Sequence, residues 1–238
     1  MPGLVAILVD VGGTLWSERQ VVASREQLEA ERMKRLQAAG VSPEQTAVLY
    51  SELATRLRGA DALEYLDILS TVEQACVATR VSGVSAEAIR HAMCVPATML
   101  AELFSGARVL LQTIRECGLR CVLASNGILR NEADYWDDFR ALDLGDLIDA
   151  VVSSVDTLWR KPHRRFYKAA LQAAAAPAAQ CLVVGNSEAK DIVPAADLGM
   201  LTVRVAIEED RPSFSQADVI CDSLEQVAAV LRVTELRR

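Results

Sequence analysis

Candidate catalytic residues stand directly after apolar segments of the chain. The first segment, residues 4–9, is an unbroken apolar run that leads to Asp10. A run of this length, bounded by a turn signal, is typical of a strand that is buried on both faces. Gly12 and Gly13 then permit a tight turn and a close approach of the backbone to a ligand, and Thr14 adds a hydroxyl group. Asp10 is therefore a candidate nucleophile at the end of a buried strand, although the same residues would also suit a simple turn.

Polar groups also follow three later segments of the chain. These groups are Ser125 and Asn126, then Lys161, and then Asn186 with Asp191. Because parallel strands bring their carboxyl ends to one edge of a sheet, we expect these groups to meet Asp10 there. A carboxylate, a hydroxyl and a lysine in one crevice suit nucleophilic attack on an anionic substrate. Two carboxylates at the same edge could also hold a hard cation such as Mg²⁺ through oxygen.

The spacing of apolar residues predicts the elements that position these groups. From residue 104 onward strands alternate with helices, which predicts an α/β fold with a doubly wound, Rossmann-like parallel sheet. The predicted strands are residues 4–9, 120–127 with its polar turn, 148–152, 181–184, 201–205 and 219–220, and the predicted helices among them are 107–117, 131–141, 162–174 and 191–198. Residues 16–100 contain only helical patterns, at 24–39, 43–58, 61–80 and 85–94. We therefore expect an all-helical unit inserted directly after the first strand.

The composition limits the classes of function that the chain can have. Its 238 residues carry a net charge of -7, which argues against sequence-independent binding of nucleic acid, because such binding needs a basic face. No apolar run approaches the ~20 residues that a membrane span requires, and the amino terminus lacks the pattern of a signal peptide. The two histidines offer little to a serine–histidine–aspartate triad or a histidine-rich metal site. We expect a cytoplasmic enzyme, with neither nucleic acid nor membrane as a partner.

Four short motifs occur in an order that resembles a known enzyme superfamily. They are Asp10-x-x-Gly13-Thr14-Leu15, Ser125-Asn126-Gly127, Lys161-Pro162, and Gly185-Asn186-Ser187 followed by Asp191. In this order and spacing they resemble the four motifs of the haloacid dehalogenase (HAD) superfamily of hydrolases. The helical unit resembles the helical cap of that superfamily, and residues 103–107 resemble its return from cap to core. The resemblance covers nearly the whole chain and implies a core at residues 1–15 and 101–238 and a helical cap at residues 16–100.

The resemblance also implies a role for each matching residue. Asp10 would be the nucleophile that forms a covalent aspartyl intermediate, and Ser125 would bind the transferred group. Lys161 would balance the charge of the nucleophile and the substrate. The remaining substrate-binding positions would be Gly13, Thr14, Asn126 and Gly127. The Mg²⁺ ligands would be Asp10, the backbone carbonyl of Gly12, Asn186 and Asp191.

Two positions depart from the pattern of the superfamily's phosphatases. Those enzymes usually have a second aspartate, which serves as general acid and base, two residues after the nucleophile, and here that residue is Gly12. General acid–base catalysis is worth roughly 10²–10⁴-fold, so an alkoxide would leave slowly without a substitute. Asn186 stands where an aspartate is usual, which leaves less negative charge around a metal ion. Both departures favour a leaving group that needs no proton, such as a halide.

Several functions therefore stay open at this point. The hypothesis that we favour is a Mg²⁺-dependent phosphatase acting on a small phosphorylated metabolite, because Gly185-Asn186-Ser187 with Asp191 is closer to a metal site than to the fourth motif of the dehalogenases. The alternatives are a metal-independent 2-haloacid dehalogenase or phosphonate-type hydrolase, and a weakly active or inactive binding protein with the same fold. The first motif also resembles the phosphate loop of actin-like sugar kinases, but the long helical region that follows and the short chain argue against that fold.

Overall fold

A parallel sheet of six strands forms the centre of the protein. The computed structural model describes residues 3–17, 21–208 and 212–235. The strands are β1 (Ala6–Val9), β2 (Arg120–Ser125), β3 (Ala150–Ser153), β4 (Cys181–Gly185), β5 (Leu201–Val205) and β6 (Val219–Cys221). They pair in the order β3-β2-β1-β4-β5-β6, and every pairing is parallel. The direction of winding reverses between β1 and β4, which places a crevice at the carboxyl ends of these two strands.

Strand β1 lies in the middle of the sheet because both of its faces are apolar. All four of its side chains are buried, and alternate residues pack into separate hydrophobic clusters on the two faces of the sheet. In register, Val9 stands beside Leu123 of β2 and Val184 of β4. The residues that follow these strands therefore arrive at the same edge of the sheet as Asp10.

Helices cover both faces of the sheet and form a further group between β1 and β2. They are α1 (Arg25–Ala38), α2 (Pro43–Arg56), α3 (Ile68–Thr79), α4 (Ala86–Met93), α5 (Ala97–Leu100), α6 (Ala107–Glu116), α7 (Glu132–Ala141), α8 (Ser154–Thr157), α9 (Arg164–Ala174), α10 (Val193–Asp197) and α11 (Leu224–Glu235). Helices α6, α7 and α11 pack on one face of the sheet, and α9 and α10 pack on the other. Of the helices in the described ranges, none combines the length and the apolar character that crossing a bilayer would require.

The helices α1 to α5, here called the helical group, supply most of a separate hydrophobic cluster, to which Val155 of α8 also belongs. Its fully buried members include Leu36, Leu49, Leu53, Val72 and Ile89. The helix starts that the sequence predicts at Ser24, Ser42 and Ser85 are present, since each serine side chain accepts a hydrogen bond from the backbone three residues later. The helical group thus follows the first strand and packs around its own centre. The division into a core at residues 1–15 and 101–238 and a cap at residues 16–100 stays a prediction.

The chain enters and leaves the helical group along two adjacent connections. Trp16 on the way out forms an antiparallel bridge with Leu103 on the way back. Next to this bridge, Phe104 N donates a hydrogen bond to Leu15 O at 2.9 Å. The paired connections hold the helical group next to the turn that follows β1.

The α/β class and the Rossmann-like parallel sheet are confirmed, but the helix predicted over residues 61–80 was wrong at its start. This helix begins at Ile68, because Asp67 caps it by accepting a hydrogen bond from Ser70 N at 3.0 Å. Residues Ala60–Ala62 form a separate 3₁₀ turn. The apolar residues before Ile68 therefore belong to a connection rather than to the helix.

The helix predicted to begin at Asp191 also begins earlier. Residues Glu188–Ile192 form a π-helical turn directly before α10, and Ser187 caps it by accepting a hydrogen bond from Lys190 N. Asp191 therefore lies inside a helical segment, with its carboxylate against the end of β4.

A buried ion pair, Arg90 with Asp134, joins α4 to α7 across the boundary between the helical group and the sheet. The Arg90 side chain is 1% exposed, and its Nη1 lies 2.5 Å from Asp134 Oδ2 while its Nη2 lies 2.7 Å from Glu87 Oε1. Arg90 also donates a hydrogen bond to Leu129 O. Burial by itself would raise the pKa of Asp134, but the hydrogen bond from Arg90 helps to hold that pKa below its ordinary value. The pair therefore stays charged in the interior, and each partner depends on the other.

We expect Arg90→Ala to destabilise the protein by about 3–5 kcal/mol, because it removes the buried counter-ion of Asp134 and leaves that carboxylate only the half-exposed His91 at 2.8 Å. The measurement is urea denaturation. Arg56→Ala is a matched control, because Arg56 forms a more exposed helical ion pair with Glu52 at 2.7 Å and should lose no more than about 1 kcal/mol. Equal losses in the two variants would show that the Arg90 network contributes nothing beyond a surface pair.

Candidate active site

Lys161 lies between two carboxylates at the carboxyl edge of the sheet. Its Nζ is 2.6 Å from Asp10 Oδ1 and 2.6 Å from Asp191 Oδ1. All three side chains are buried. Asp10 follows β1, Asp191 lies in the π-helical turn after β4, and Lys161 precedes α9. The sheet thus brings together charged groups from three distant segments, as their spacing in the sequence predicts.

The charge of each group in this cluster depends on the other two. Burial by itself would lower the pKa of Lys161, but Asp10 and Asp191 raise it above its ordinary value, so the ammonium group stays protonated. Burial raises the pKa of Asp191, against the lowering effect of Lys161 and with a further increase from Asp10. Because a single ammonium group faces two buried carboxylates, additional positive charge would stabilise the cluster.

Hydrogen bonds orient Asp10 and the segment that carries Lys161. Thr14 Oγ1 donates to Asp10 Oδ2 at 2.9 Å, so both carboxylate oxygens have a donor. Asn126 Nδ2 donates to Lys161 O at 3.0 Å, and Lys161 N donates to Asn126 Oδ1 at 2.8 Å. Lys161 Nζ also donates to Ala124 O at 3.0 Å. The turn after β2 therefore positions the lysine.

Ser125 is oriented by a tyrosine that sequence reasoning missed. Tyr135 OH donates to Ser125 Oγ at 2.7 Å. Burial raises the pKa of Tyr135 to about 12, so its phenol stays neutral and acts as a donor. Because the Ser125 oxygen accepts this bond, its own proton is available for an anionic ligand. A tyrosine on an amphipathic helix predicts only a core position, so nothing in the sequence pointed to this contact.

The turn after β1 brings the backbone against Asn186. Gly13 has a φ of +72°, and a Cβ at this position would lie 2.2 Å from Asn186 Nδ2. At the end of β4, a Cβ on Gly185 would lie 2.5 Å from Asp191 Cγ. Both contacts require glycine, since any larger residue would displace the neighbouring polar side chain.

The charged cluster lines an open cleft with a volume of about 890 Å³. The predicted site residues on its wall are Asp10, Gly12, Ser125, Asn126, Lys161, Asn186 and Asp191. The predicted substrate-binding residues Gly13 and Thr14 do not line it: Gly13 packs against Asn186, and Thr14 is buried and bonded to Asp10. A second cavity of about 410 Å³ shares Gly12, Ser125 and Asn126 with the cleft and includes Gly127.

Arg160 is a further residue on the cleft wall to which sequence reasoning gave no role. Its side chain is 2% exposed. Its Nη1 donates to Gly127 O at 2.8 Å, and its Nη2 donates to Asp61 Oδ1 at 3.2 Å. Arg160 therefore joins the turn after β2 to the helical group. Its place directly before Lys161 was the signal that could have pointed to it.

The oxygen donors at this edge suit a hard cation. The carboxylates of Asp10 and Asp191 line the cleft together with Gly12 and Asn186. Mg²⁺ is commonly bound by one or two carboxylates and keeps water or substrate phosphate as its other ligands. In the part of the chain that the structure describes, no group of three or more His, Cys, Asp or Glu side chains forms a metal site, so two carboxylates would supply the negative charge. The residues present therefore fit a Mg²⁺ ion that is held by two carboxylates.

A family model described as a haloacid dehalogenase-like hydrolase matches residues 4–199 of the chain. This range contains all four motifs and the whole helical group. The match confirms the superfamily that the four motifs predicted.

Two curated proteins with the same name match shorter stretches. The glyceraldehyde 3-phosphate phosphatase of Methanocaldococcus jannaschii is 27% identical over 124 residues, which cover 51% of this chain and 53% of that protein. The glyceraldehyde 3-phosphate phosphatase of Pyrococcus abyssi is 34% identical over 98 residues, which cover 41% of this chain and 40% of that protein. The chain thus spans about half the length, or less, of these curated relatives.

Solved structures are similar over nearly the whole chain. A HAD phosphatase from Thermococcus onnurineus has a TM-score of 0.60 at 17% identity and covers 96% of this chain and 98% of its own. A 2-haloacid dehalogenase from Pseudomonas syringae pv. Tomato DC3000 has a TM-score of 0.63 at 19% identity and covers 97% of this chain and 99% of its own. At these identities the similarity shows the fold, which phosphatases and dehalogenases share.

A left-handed backbone costs a non-glycine residue about 1–2 kcal/mol. We expect Gly13→Ala to destabilise the protein by more than this, because the new Cβ also meets Asn186. The measurement is urea denaturation. Gly83→Ala is the matched control, since Gly83 has a φ of +79° and nothing within 4 Å of its Cβ position. The double variant Gly13→Ala/Asn186→Ala should recover part of the excess loss. If Gly13→Ala and Gly83→Ala lower the free energy of unfolding equally, the close contact with Asn186 does not affect stability.

Proposed function

The chain belongs to the haloacid dehalogenase-like hydrolases, and from this premise we propose that it is a phosphatase that acts on a small phosphorylated metabolite through Asp10. The observation that carries the proposal is the buried contact of Lys161 with Asp10 and Asp191, 2.6 Å each, on the wall of an open cleft. The names of the two curated relatives support phosphate as the group transferred.

In the proposed reaction Asp10 acts as the nucleophile. One of its carboxylate oxygens attacks the phosphorus of a phosphate ester, the bond to the ester oxygen breaks, and the alcohol oxygen leaves with the electron pair. Water then hydrolyses the aspartyl phosphate, which yields inorganic phosphate and the free carboxylate. The hydrogen bond from Thr14 and the contact with Lys161 hold the carboxylate in one orientation before the attack.

Other side chains of the cleft bind the phosphate. The Ser125 hydroxyl, oriented by Tyr135, donates to a phosphate oxygen, and the Lys161 ammonium group balances the charge that builds up in the transition state. Mg²⁺ held by Asp10 and Asp191, with Gly12 and Asn186 beside it, would neutralise further negative charge on the phosphate oxygens.

The leaving group receives no proton from the position that Gly12 occupies. A phenol is far more acidic than an alkyl alcohol, so a phenolate leaves with less help from a proton than an alkoxide does. The proposed phosphatase should therefore favour activated esters more strongly than an enzyme that has an acid at this position.

We expect phosphate release from at least one member of a panel of phosphorylated metabolites, glyceraldehyde 3-phosphate among them, in the presence of Mg²⁺ and not in the presence of a chelator. Asp10→Asn should reduce this release to background, because an amide cannot form the covalent intermediate. Asp137→Asn makes the same chemical change on the exposed face of α7 and should leave the rate unchanged. Phosphate release that survives in Asp10→Asn would refute the proposal.

We expect Gly12→Asp to accelerate the hydrolysis of an alkyl ester such as glycerol 3-phosphate on the order of 10²-fold, because it supplies the missing acid. Gly12, unlike Gly13, does not have a positive φ, so an aspartate can adopt its backbone conformation. The rate with p-nitrophenyl phosphate should change little, since that leaving group needs no proton. Equal acceleration of both esters would point to an effect other than proton donation.

A second candidate function is metal-independent removal of halide from a 2-halo acid. It is favoured by the position of Lys161, which already balances part of the charge of Asp10 and Asp191 without a metal ion. Asp10 would displace the halide from carbon, and the halide would leave without a proton. Chloride release from 2-chloropropionate that is insensitive to a chelator, together with no phosphate release, would select this candidate. The absence of both activities would favour a binding protein with this fold.

A further inference from the structure

The cavity of about 410 Å³ beside the cleft has the character of a ligand compartment. It begins at Gly12, Ser125 and Asn126, which also line the cleft that holds Asp10. The rest of its wall is mostly apolar and includes Trp16, Tyr50, Leu57, Met93, Leu100 and Leu129. Its volume lies in the range of pockets that bury most of a small ligand. A phosphate ester bound at Asp10 would therefore find an apolar compartment for its carbon part.

Arg32 brings a positive charge to the wall of this compartment. It lies on α1 and is half-buried. Its Nε donates to Met93 O at 3.2 Å, which holds the guanidinium group in place. Among the residues that the structure describes, this is the one hydrogen bond of the Arg32 side chain, and no carboxylate pairs with it. Its terminal nitrogens are therefore available to a ligand.

The other charged side chains on the wall of the compartment already have partners. Arg130 donates to Asp138 Oδ2 at 2.5 Å and to Val95 O at 2.7 Å. Asp61 accepts a hydrogen bond from Arg160 at 3.2 Å. Arg32 thus differs from its charged neighbours, since its positive charge has no counter-ion in the described part of the compartment.

We propose that the substrate is a phosphate ester of an apolar alcohol that carries a second anionic group, such as a carboxylate, at its far end, and that Arg32 binds this second group. The phosphate would lie at Asp10, Ser125 and Lys161, and the apolar body would lie against side chains of the helical group. A guanidinium group binds a carboxylate through two charge-assisted hydrogen bonds, which fixes the orientation of the far end. This inference rests on the proposed phosphatase activity and names its substrate class.

The proposed class differs from the substrate in the names of the curated relatives. Glyceraldehyde 3-phosphate has three carbons, all of which carry oxygen, and no second anionic group. Such a molecule would leave the apolar compartment filled with water and Arg32 without a partner. A longer apolar ester with a distal carboxylate would fill the compartment, and its carboxylate would pair with Arg32.

Three aryl phosphates test the proposal with similar leaving groups. They are phenyl phosphate, 4-propylphenyl phosphate and 3-(4-phosphonooxyphenyl)propanoate, which add in turn an apolar chain and a carboxylate at its end. We expect kcat/KM to rise about tenfold with the chain, because it fills apolar space. We expect a further rise of about tenfold with the carboxylate, which is typical of a hydrogen bond to a charged group. Because all three leaving groups are phenols, the glycine at position 12 affects them alike.

Two variants on α1 separate recognition from structure. Arg32→Gln should reduce kcat/KM for the carboxylated ester to about the value of the propyl ester, a larger loss than for either ester that lacks the carboxylate. Arg35→Gln is the matched control, since Arg35 Nε also donates to a carbonyl oxygen of α4, that of Ala92 at 3.1 Å, but Arg35 does not line the compartment. It should leave the order of the three esters as in the unmodified protein.

The outcomes distinguish this inference from the proposed function. If Asp10-dependent hydrolysis of phenyl phosphate occurs but the carboxylate brings no advantage, or Arg32→Gln affects all three esters equally, the inference is wrong and the phosphatase stands. If none of the three esters is hydrolysed, binding of 3-(4-hydroxyphenyl)propanoate, measured by calorimetry, decides the inference. The phosphatase proposal fails only if the panel of phosphorylated metabolites also releases no phosphate. Binding that Arg32→Gln weakens at least about tenfold and Arg35→Gln does not would support the anion subsite. Equal binding by all three proteins, or no binding, would overturn it.

Discussion

The buried contact of one ammonium group with two carboxylates is the constraint on which the rest of the site depends. Asp10 and Asp191 lie at the carboxyl edge of the sheet, and Lys161 Nζ is 2.6 Å from an oxygen of each. Without the lysine, two buried carboxylates would face each other in a medium that disfavours charge. Three segments that are far apart in the chain must therefore end at one point. The parallel pairing of β1 with β2 and β4 satisfies this requirement, because it aligns the carboxyl ends of those strands.

The backbone packs closely against the polar side chains around this charged cluster. At Gly13 and Gly185 the main chain passes within contact distance of Asn186 and Asp191, and no Cβ would fit. Asn126 ties the segment of Lys161 to the turn after β2 through two hydrogen bonds. The charged groups are thus held by backbone geometry as well as by one another, which limits the reorganisation that a reaction at this site would require.

The helical group adds what the sheet edge lacks. The sheet supplies charged and hydroxyl groups suited to phosphate, whereas the helical group supplies most of the apolar wall of the neighbouring cavity and, through Arg32, a second positive charge. The two parts meet through buried contacts at Arg90 and Arg160. Under the proposed function, binding energy from the carbon part of the substrate would help to position its phosphate against Asp10.

The sequence by itself determined the six strands, most of the helices and the polar residues that follow the strands. The apolar run before Asp10, the alternation of strands and helices after residue 104, and the serine caps of the helical group are local patterns, and the structure contains all of them. The sequence also placed the main charged groups at one edge, because strand direction follows from connectivity. Two helix starts were predicted wrongly. The helix predicted from residue 61 begins after Asp67, and the helix predicted from Asp191 begins after Ser187, because each of these side chains caps the first turn.

Only the tertiary structure decided which side chains touch. The hydrogen bond from Tyr135 to Ser125 and the link from Arg160 to Asp61 each join different elements of the fold. The position of Arg32 on the cavity wall likewise depends on the elements that pack around α1. No periodicity in the sequence distinguishes Arg32, which lines the cavity, from Arg35, which does not. Periodicity describes one helix at a time, whereas the function of a side chain depends on the element that packs opposite it.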